Sequence, residues 1–154
     1  MSDREDAPRA CLQKAVDLLA RRPHFRAQLA AKLAGRGFDE EIVGAALERL
    51  QELGYLDERR TVEDFVSRRL ERSAVGSRRL RADLLRRGAA ADVVDAVLAE
   101  HRDSDRPDAV RQAAAAWLAR GKRDPRALAR FLDRQGFPGH AIFEVVRELE
   151  ADLS

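Results

Sequence analysis

The sequence predicts an all-α fold built as three tandem three-helix repeats that form an elongated, curved array. Two observations carry this expectation. Hydrophobic residues make up 45% of the 154 residues and charged residues 36%, whereas Phe, Trp and Tyr reach 5%. That balance favours Ala/Leu/Arg/Glu helices over β-branched, aromatic strands. The second observation is an internal repeat. Leu19, Leu29, Leu33 and Gly37 recur with the same spacings of ten, four and four as Leu70, Leu80, Leu84 and Gly88, and again as Leu118, Leu128, Leu132 and Gly136. The three glycines lie 51 and 48 residues apart, longer than the roughly 34 residues of a tetratricopeptide unit. Each repeat therefore has room for three helices.

In the first helix of each repeat, Ala15/Leu18/Leu19, Val62/Phe65/Val66 and Ala114/Trp117/Leu118 follow spacings of three and four, which puts them on one helical face. The second helix is short and stops at the repeated glycine, where the chain needs a left-handed residue. Arg36-Gly37, Arg87-Gly88 and Gln135-Gly136 are these stops. Its start is clearest at Asp124-Pro125, where a carboxylate can cap free amides and proline fits the first turn. Asp105-Arg106-Pro107 is a similar, looser start. The residue equivalent to Asp124 is Gly76 in the middle repeat and Phe25 in the first, whose side chain has no capping oxygen. A third apolar segment follows, near 39–53, 91–102 and 139–151.

The expected organisation is a disordered tail over 1–9, then repeats at 10–54, 55–103 and 104–151, without a flexible linker. Gly54 to Asp57 joins the first two repeats, and His101 to Pro107 joins the last two and is the expected place of a bend. Units of this kind contact mainly their neighbours, so the body is elongated and offers a long surface to a macromolecule rather than a deep pocket to a small substrate.

Several function classes find no support in the residues. His24, His101 and His140 lack companions at metal-ligand spacing, and Gly121-Lys122 does not sit in a phosphate-cradling pattern. Asp39, Glu40 and Glu41 open a helix and complement its dipole. Ser67, Ser73, Ser77 and Ser104 have no His/Asp pattern to activate them. Catalysis, metal binding and cofactors are therefore not expected. The lone Cys11 reads as a packing residue, and its solitude fits the reducing cytoplasm. The N-terminal residues lack the apolar run of a secretory signal, and no stretch is long and apolar enough for a membrane span.

Net charge is +2, with a sequence pI near 9.1, but the basic residues are unevenly distributed. Between Ser67 and Gly88 lie Arg68, Arg69, Arg72, Arg78, Arg79, Arg81, Arg86 and Arg87, against Glu71 and Asp83. At about 100° per residue, Leu80 and Leu84 fall on one side of the second helix and most of its arginines on the other. Such a row can be a plain solvated face. It can equally attract a nucleic-acid backbone or an acidic protein groove, since guanidinium forks match phosphate and carboxylate alike. Few aromatics accompany it as base-stacking platforms. Arg69 stands apart because the repeats place it where the others have Leu18 and Trp117. Either its stem packs while the charge escapes to the edge, or the middle repeat keeps a partly open groove for a partner.

Gly54-Tyr55-Leu56-Asp57, then Phe65, Gly76-Ser77-Arg78-Arg79-Leu80, Asp83-Leu84 and Arg87-Gly88 resemble the middle signature of the RecX family of bacterial regulatory proteins. The resemblance runs from about Ala10 to Glu150. Glu58, Val66 and Asp83 are conservative departures from the family pattern, and Phe25, where a small hydroxyl cap is usual, is a larger one. The resemblance implies a non-enzymatic protein that lodges in the groove of the RecA filament on DNA and lowers its ATPase and strand-exchange activity, within recombination, repair and the SOS response. The expected protein is a cytoplasmic monomer, and the eight arginines of the basic cluster are its candidate partner-binding residues, meeting RecA or DNA phosphate. The alternative is a helical protein that binds single- or double-stranded DNA directly, for which three-helix units have precedent.

Overall fold

The computed structural model describes residues 2–101 and 105–153, with side chains from 6 to 152. Its described elements are all helices: α1 (Ser2–Arg21), α2 (Arg26–Gly35), α3 (Glu40–Glu52), α4 (Glu58–Arg72), α5 (Ser77–Arg86), α6 (Ala91–Glu100), α7 (Pro107–Leu118), α8 (Pro125–Arg134) and α9 (Gly139–Leu153). They form three successive triplets, each around its own core, in an elongated all-helical array. The expected bend between His101 and Pro107 includes residues 102–104, which lie outside the described residues.

The repeat in the sequence is a repeat of burial. Cys11, Val62 and Val110 occupy one position of the first helix and are fully buried. Ala15, Val66 and Ala114 occupy another, one turn on. Leu29/Leu33, Leu80/Leu84 and Leu128/Leu132 are the fully buried pairs of the short second helices. Cys11 is thus a core residue, and burial pushes its thiol pKa up, away from the reactive thiolate. One expectation changes: the segment before Ala10, read as a disordered tail, belongs to α1, which runs from Ser2 through Pro8. A helix anchored by Cys11 and Ala15 extends backwards at one hydrogen bond per added residue, and Pro8 forfeits one such bond.

Neighbouring triplets are joined by the start of one second helix meeting the end of the next. Phe25, just before α2, belongs to the buried core of the second triplet, in one cluster with Val62, Val66 and Leu84. Gly88, past the end of α5, lies against Ala27 and Gln28 at the start of α2. The same join recurs one repeat later. The Gly76 amide donates to the Gln135 carbonyl at 2.8 Å, and an added Cβ at Gly76 would overlap the backbone of Gly136. Gly37, Gly88 and Gly136 all have φ near +90°: 93, 94 and 87°. At Gly37 an added Cβ would meet nothing within 4 Å.

This arrangement answers the missing cap at Phe25. The Arg26 amide donates to Glu58 Oε2 at 2.9 Å, so a carboxylate from the first turn of α4 caps α2 across the seam. Gln28 Oε1 accepts from the Phe25 amide at 3.1 Å. One repeat on, the Ser77 amide donates to Asp105 Oδ1 at 2.9 Å. Asp105, read from sequence as part of the start of α7, therefore caps α5 of the preceding triplet. The second helix of the third triplet, α8, is capped by its own Asp124, which accepts from the Arg126 amide at 3.1 Å.

Candidate partner-binding grooves of the middle triplet

The arginines expected at a partner surface divide into two groups. Arg81 is engaged within the protein: its Nε donates to Asp95 Oδ1 at 2.7 Å, tying α5 to α6. The bond holds the Asp95 carboxyl below its ordinary pKa. Arg78 donates to the Asp133 carboxylate at 2.8 Å and to its carbonyl at 2.7 Å, bridging to the third triplet. Arg69, Arg79 and Arg86 surround Asp83, which is 6% exposed. Arg69 Nη1 is 3.5 Å and Arg79 Nε 3.9 Å from Asp83 Oδ2, while Arg86 bonds Oδ1. One buried carboxylate thus sits among three guanidinium groups, whose donors offset its desolvation better than burial without a partner would.

Arg68, Arg72 and Arg87 remain. Among the described residues the guanidinium groups of Arg68 and Arg72 have no ion-pair partner, and both side chains are exposed. Arg87 lies over the Phe65 ring, 5.0 Å from its centroid. These residues, with Arg69, line a groove of about 430 Å³ at the seam of the first and second triplets. Pro23, Phe25 and Phe65 supply its apolar surface, and Asp64 is a lining carboxylate. Arg22 also lines it and has no ion-pair partner among the described residues. Sequence reasoning missed Arg22 because it lies 46 residues before Arg68, and only the inter-triplet join brings it close.

A second, shallower groove of about 540 Å³ lies at the seam of the second and third triplets, lined by Arg78, Arg79, Asp83, Arg86, Asp133 and Arg134. Its carboxylates offset much of its positive charge. Arg81 lines neither of the two grooves. The Arg69–Asp83 pair stands between them, with Arg69 on the first groove and Asp83 on the second.

Comparison with known proteins places this architecture. The family model for the RecX first three-helix domain matches residues 11–50. Regulatory protein RecX of Thermus thermophilus is 42% identical over 127 residues, covering 82% of this chain and 83% of the relative. The chain belongs to the RecX family. Regulatory protein RecX of Halorhodospira halophila is 42% identical over 141 residues, 89% of this chain and 86% of its own. That of Deinococcus radiodurans is 37% identical over 149 residues, 95% of this chain and 71% of its own. The crystal structure of RecX from Lactobacillus salivarius superposes with a TM-score of 0.84 at 17% identity, over 96% of this chain and 99% of that one. A second crystal structure of a regulatory protein RecX gives 0.78, also at 17% identity, over 94% and 73%. At that identity the structures show a shared fold, here the RecX helical array. The sequence relatives show a regulatory protein of the RecX family.

Among the described residues no helix is long and apolar enough to cross a membrane, and no cluster of His, Cys, Asp and Glu is arranged to hold a metal ion.

Proposed function

We propose that this chain binds the RecA filament and lowers its ATP hydrolysis and strand exchange, and so restrains homologous recombination and DNA repair. The observation that carries the reading is the alignment with regulatory RecX proteins over most of both chains. The family resemblance supplies RecA as the partner. In this reading the protein is a cytoplasmic monomer with no chemistry of its own. Its repeats, 10–54, 55–103 and 104–151, are successive contact modules along the filament. Of the eight arginines, Arg68, Arg72 and Arg87 are the contacts best placed to reach a partner, because they are exposed and line a groove. Arg69, Arg79 and Arg86 gather around Asp83, and Arg78 and Arg81 brace neighbouring elements.

The test is a titration of the chain into RecA hydrolysing ATP on single-stranded DNA. Hydrolysis is expected to fall to a plateau as the chain is added. An unchanged rate at saturating chain overturns the proposal. Direct DNA binding is the second reading, favoured by the same arginines, and it requires affinity for naked DNA that falls steeply with salt.

A further inference from the structure

We infer that the groove at the seam of the first and second triplets is a docking site for an acidic polypeptide segment that carries one apolar side chain. This rests on the reading above that the partner is a protein assembly, and adds the chemistry recognised at one place on it.

The groove is particular to this seam. The position of Arg68 is Asp17 in the first repeat and Ala116 in the third, and that of Arg69 is Leu18 or Trp117. Asp83 stands where the other repeats have Lys32 and Phe131. In the third triplet Trp117 is buried and stacks with Phe131, ring centroids 6.4 Å apart. The middle triplet has the Arg69–Asp83 ion pair in place of those rings, and beside it the seam is open.

Charge and floor together identify the occupant. Arg22, Arg68 and Arg72 are cations without a carboxylate partner among the described residues, so an anion gains charge-assisted hydrogen bonds there without displacing an existing pair. The floor is apolar, formed by Pro23, Phe25 and Phe65, and an apolar side chain laid on it leaves water. A phosphodiester backbone has nothing apolar to place on that floor. Its bases need a free ring face on which to stack, and the Phe65 face carries the Arg87 guanidinium, whereas an apolar side chain needs only contact with the apolar lining atoms of Pro23, Phe25 and Phe65. A polypeptide of Asp and Glu around a Phe or Leu meets both demands.

The experiment measures fluorescence anisotropy of fluorescein-labelled probes with the full chain: a glutamate peptide with one central Phe, the same peptide without the Phe, and oligo-dT of matched charge. The Phe-containing peptide is expected to bind about tenfold or more tighter than either control, equivalent to about 1.4 kcal/mol. Arg68→Glu with Arg72→Glu is expected to weaken binding of the Phe-containing peptide about tenfold or more, and Arg81→Glu to leave it unchanged. Equal binding of oligo-dT, no benefit from the Phe, or an equal loss in Arg81→Glu overturns the inference. A benzophenone in place of the peptide's Phe supplies a readout on the unaltered chain: photoattachment is expected on α4 or the Pro23–Phe25 segment, and attachment elsewhere overturns it. Because RecA is absent from these measurements, inhibition of RecA without peptide binding removes only this inference, and peptide binding without inhibition removes only the function proposed above.

Discussion

Arg69 and Asp83 form an ion pair at the two repeat positions where the third triplet has the stacked rings of Trp117 and Phe131. One scaffold therefore carries a hydrophobic pair in one triplet and a charged pair in another. Because Asp83 is buried and serves three arginines, Asp83→Ala leaves cations without a counter-charge. It is expected to cost about 2 kcal/mol, discounted from the larger penalty of a fully buried pair because Arg69 is partly exposed. Replacing both partners, Arg69→Met with Asp83→Leu, is expected to cost less than Asp83→Ala alone, because only the more exposed Arg79 and Arg86 then lose their counter-charge. Urea unfolding of the three proteins measures it, and equal losses in the single and double variants contradict this account of the pair.

The caps that cross the seams give a second expectation. Glu58→Ala removes the acceptor for the Arg26 amide, and Asp105→Ala that for the Ser77 amide. Each is expected to cost about 1 kcal/mol, the usual worth of an N-cap. Glu58→Gln keeps an acceptor oxygen and is expected to lose less. Denaturation midpoints separate the outcomes, and wild-type stability in both alanine variants counts against capping across the seams.

The glycines distinguish strain from close approach. Gly37 and Gly136 share a left-handed backbone, but an added Cβ meets open space at Gly37 and the Arg79 backbone at Gly136. Gly37→Ala is expected to cost about 1–2 kcal/mol for conformation alone. Gly136→Ala adds a steric clash at the seam and is expected to lower the melting temperature distinctly further. Similar melting temperatures for the two variants contradict the seam geometry.

His24 makes stability depend on pH. It is 2% exposed. Its Nδ1 is 2.9 Å from the Arg22 carbonyl, to which it donates, and its Nε2 accepts from Lys32 Nζ at 2.7 Å. This pattern fits the neutral ring alone. Burial pushes its pKa below the ordinary value and Lys32 adds to the shift, against the bond to Arg22, which raises it. At about pH 7.5 and above both folded and unfolded forms are essentially neutral, and no penalty arises. As pH falls below that, the unfolded form takes up the proton first and stability declines. His24→Gln, which can donate and accept at the same places, is expected to flatten the part of the decline between about pH 7.5 and 5.5. An identical slope in the variant contradicts the assignment to His24.

The triplets were legible in the sequence because the leucine and glycine spacings report burial directly: Leu29, Leu80 and Leu128 are all fully buried. Half of the groove was legible too, since Arg69 in a core slot signals that something has replaced a ring. Its partner Asp83 went unread as a core replacement because it looked like a conservative departure within a helix. Comparing it with Phe131 and Lys32 across the repeats is the signal that finds it. The cap on α2 was not readable locally, because Glu58 reaches Arg26 from 32 residues away, and capping rules describe neighbours within one turn. Arg22 was missed for the same reason: the join between triplets, not sequence distance, sets its company.

The central claim is that the partner is the RecA filament rather than DNA alone. The most direct measurement is co-sedimentation of the chain with RecA assembled on single-stranded DNA in a slowly hydrolysed ATP analogue, beside the same DNA without RecA. Retention of the chain on the filament, and not on the naked DNA at the same salt concentration, is the expected result. Equal retention on both, or none on the filament, contradicts the claim.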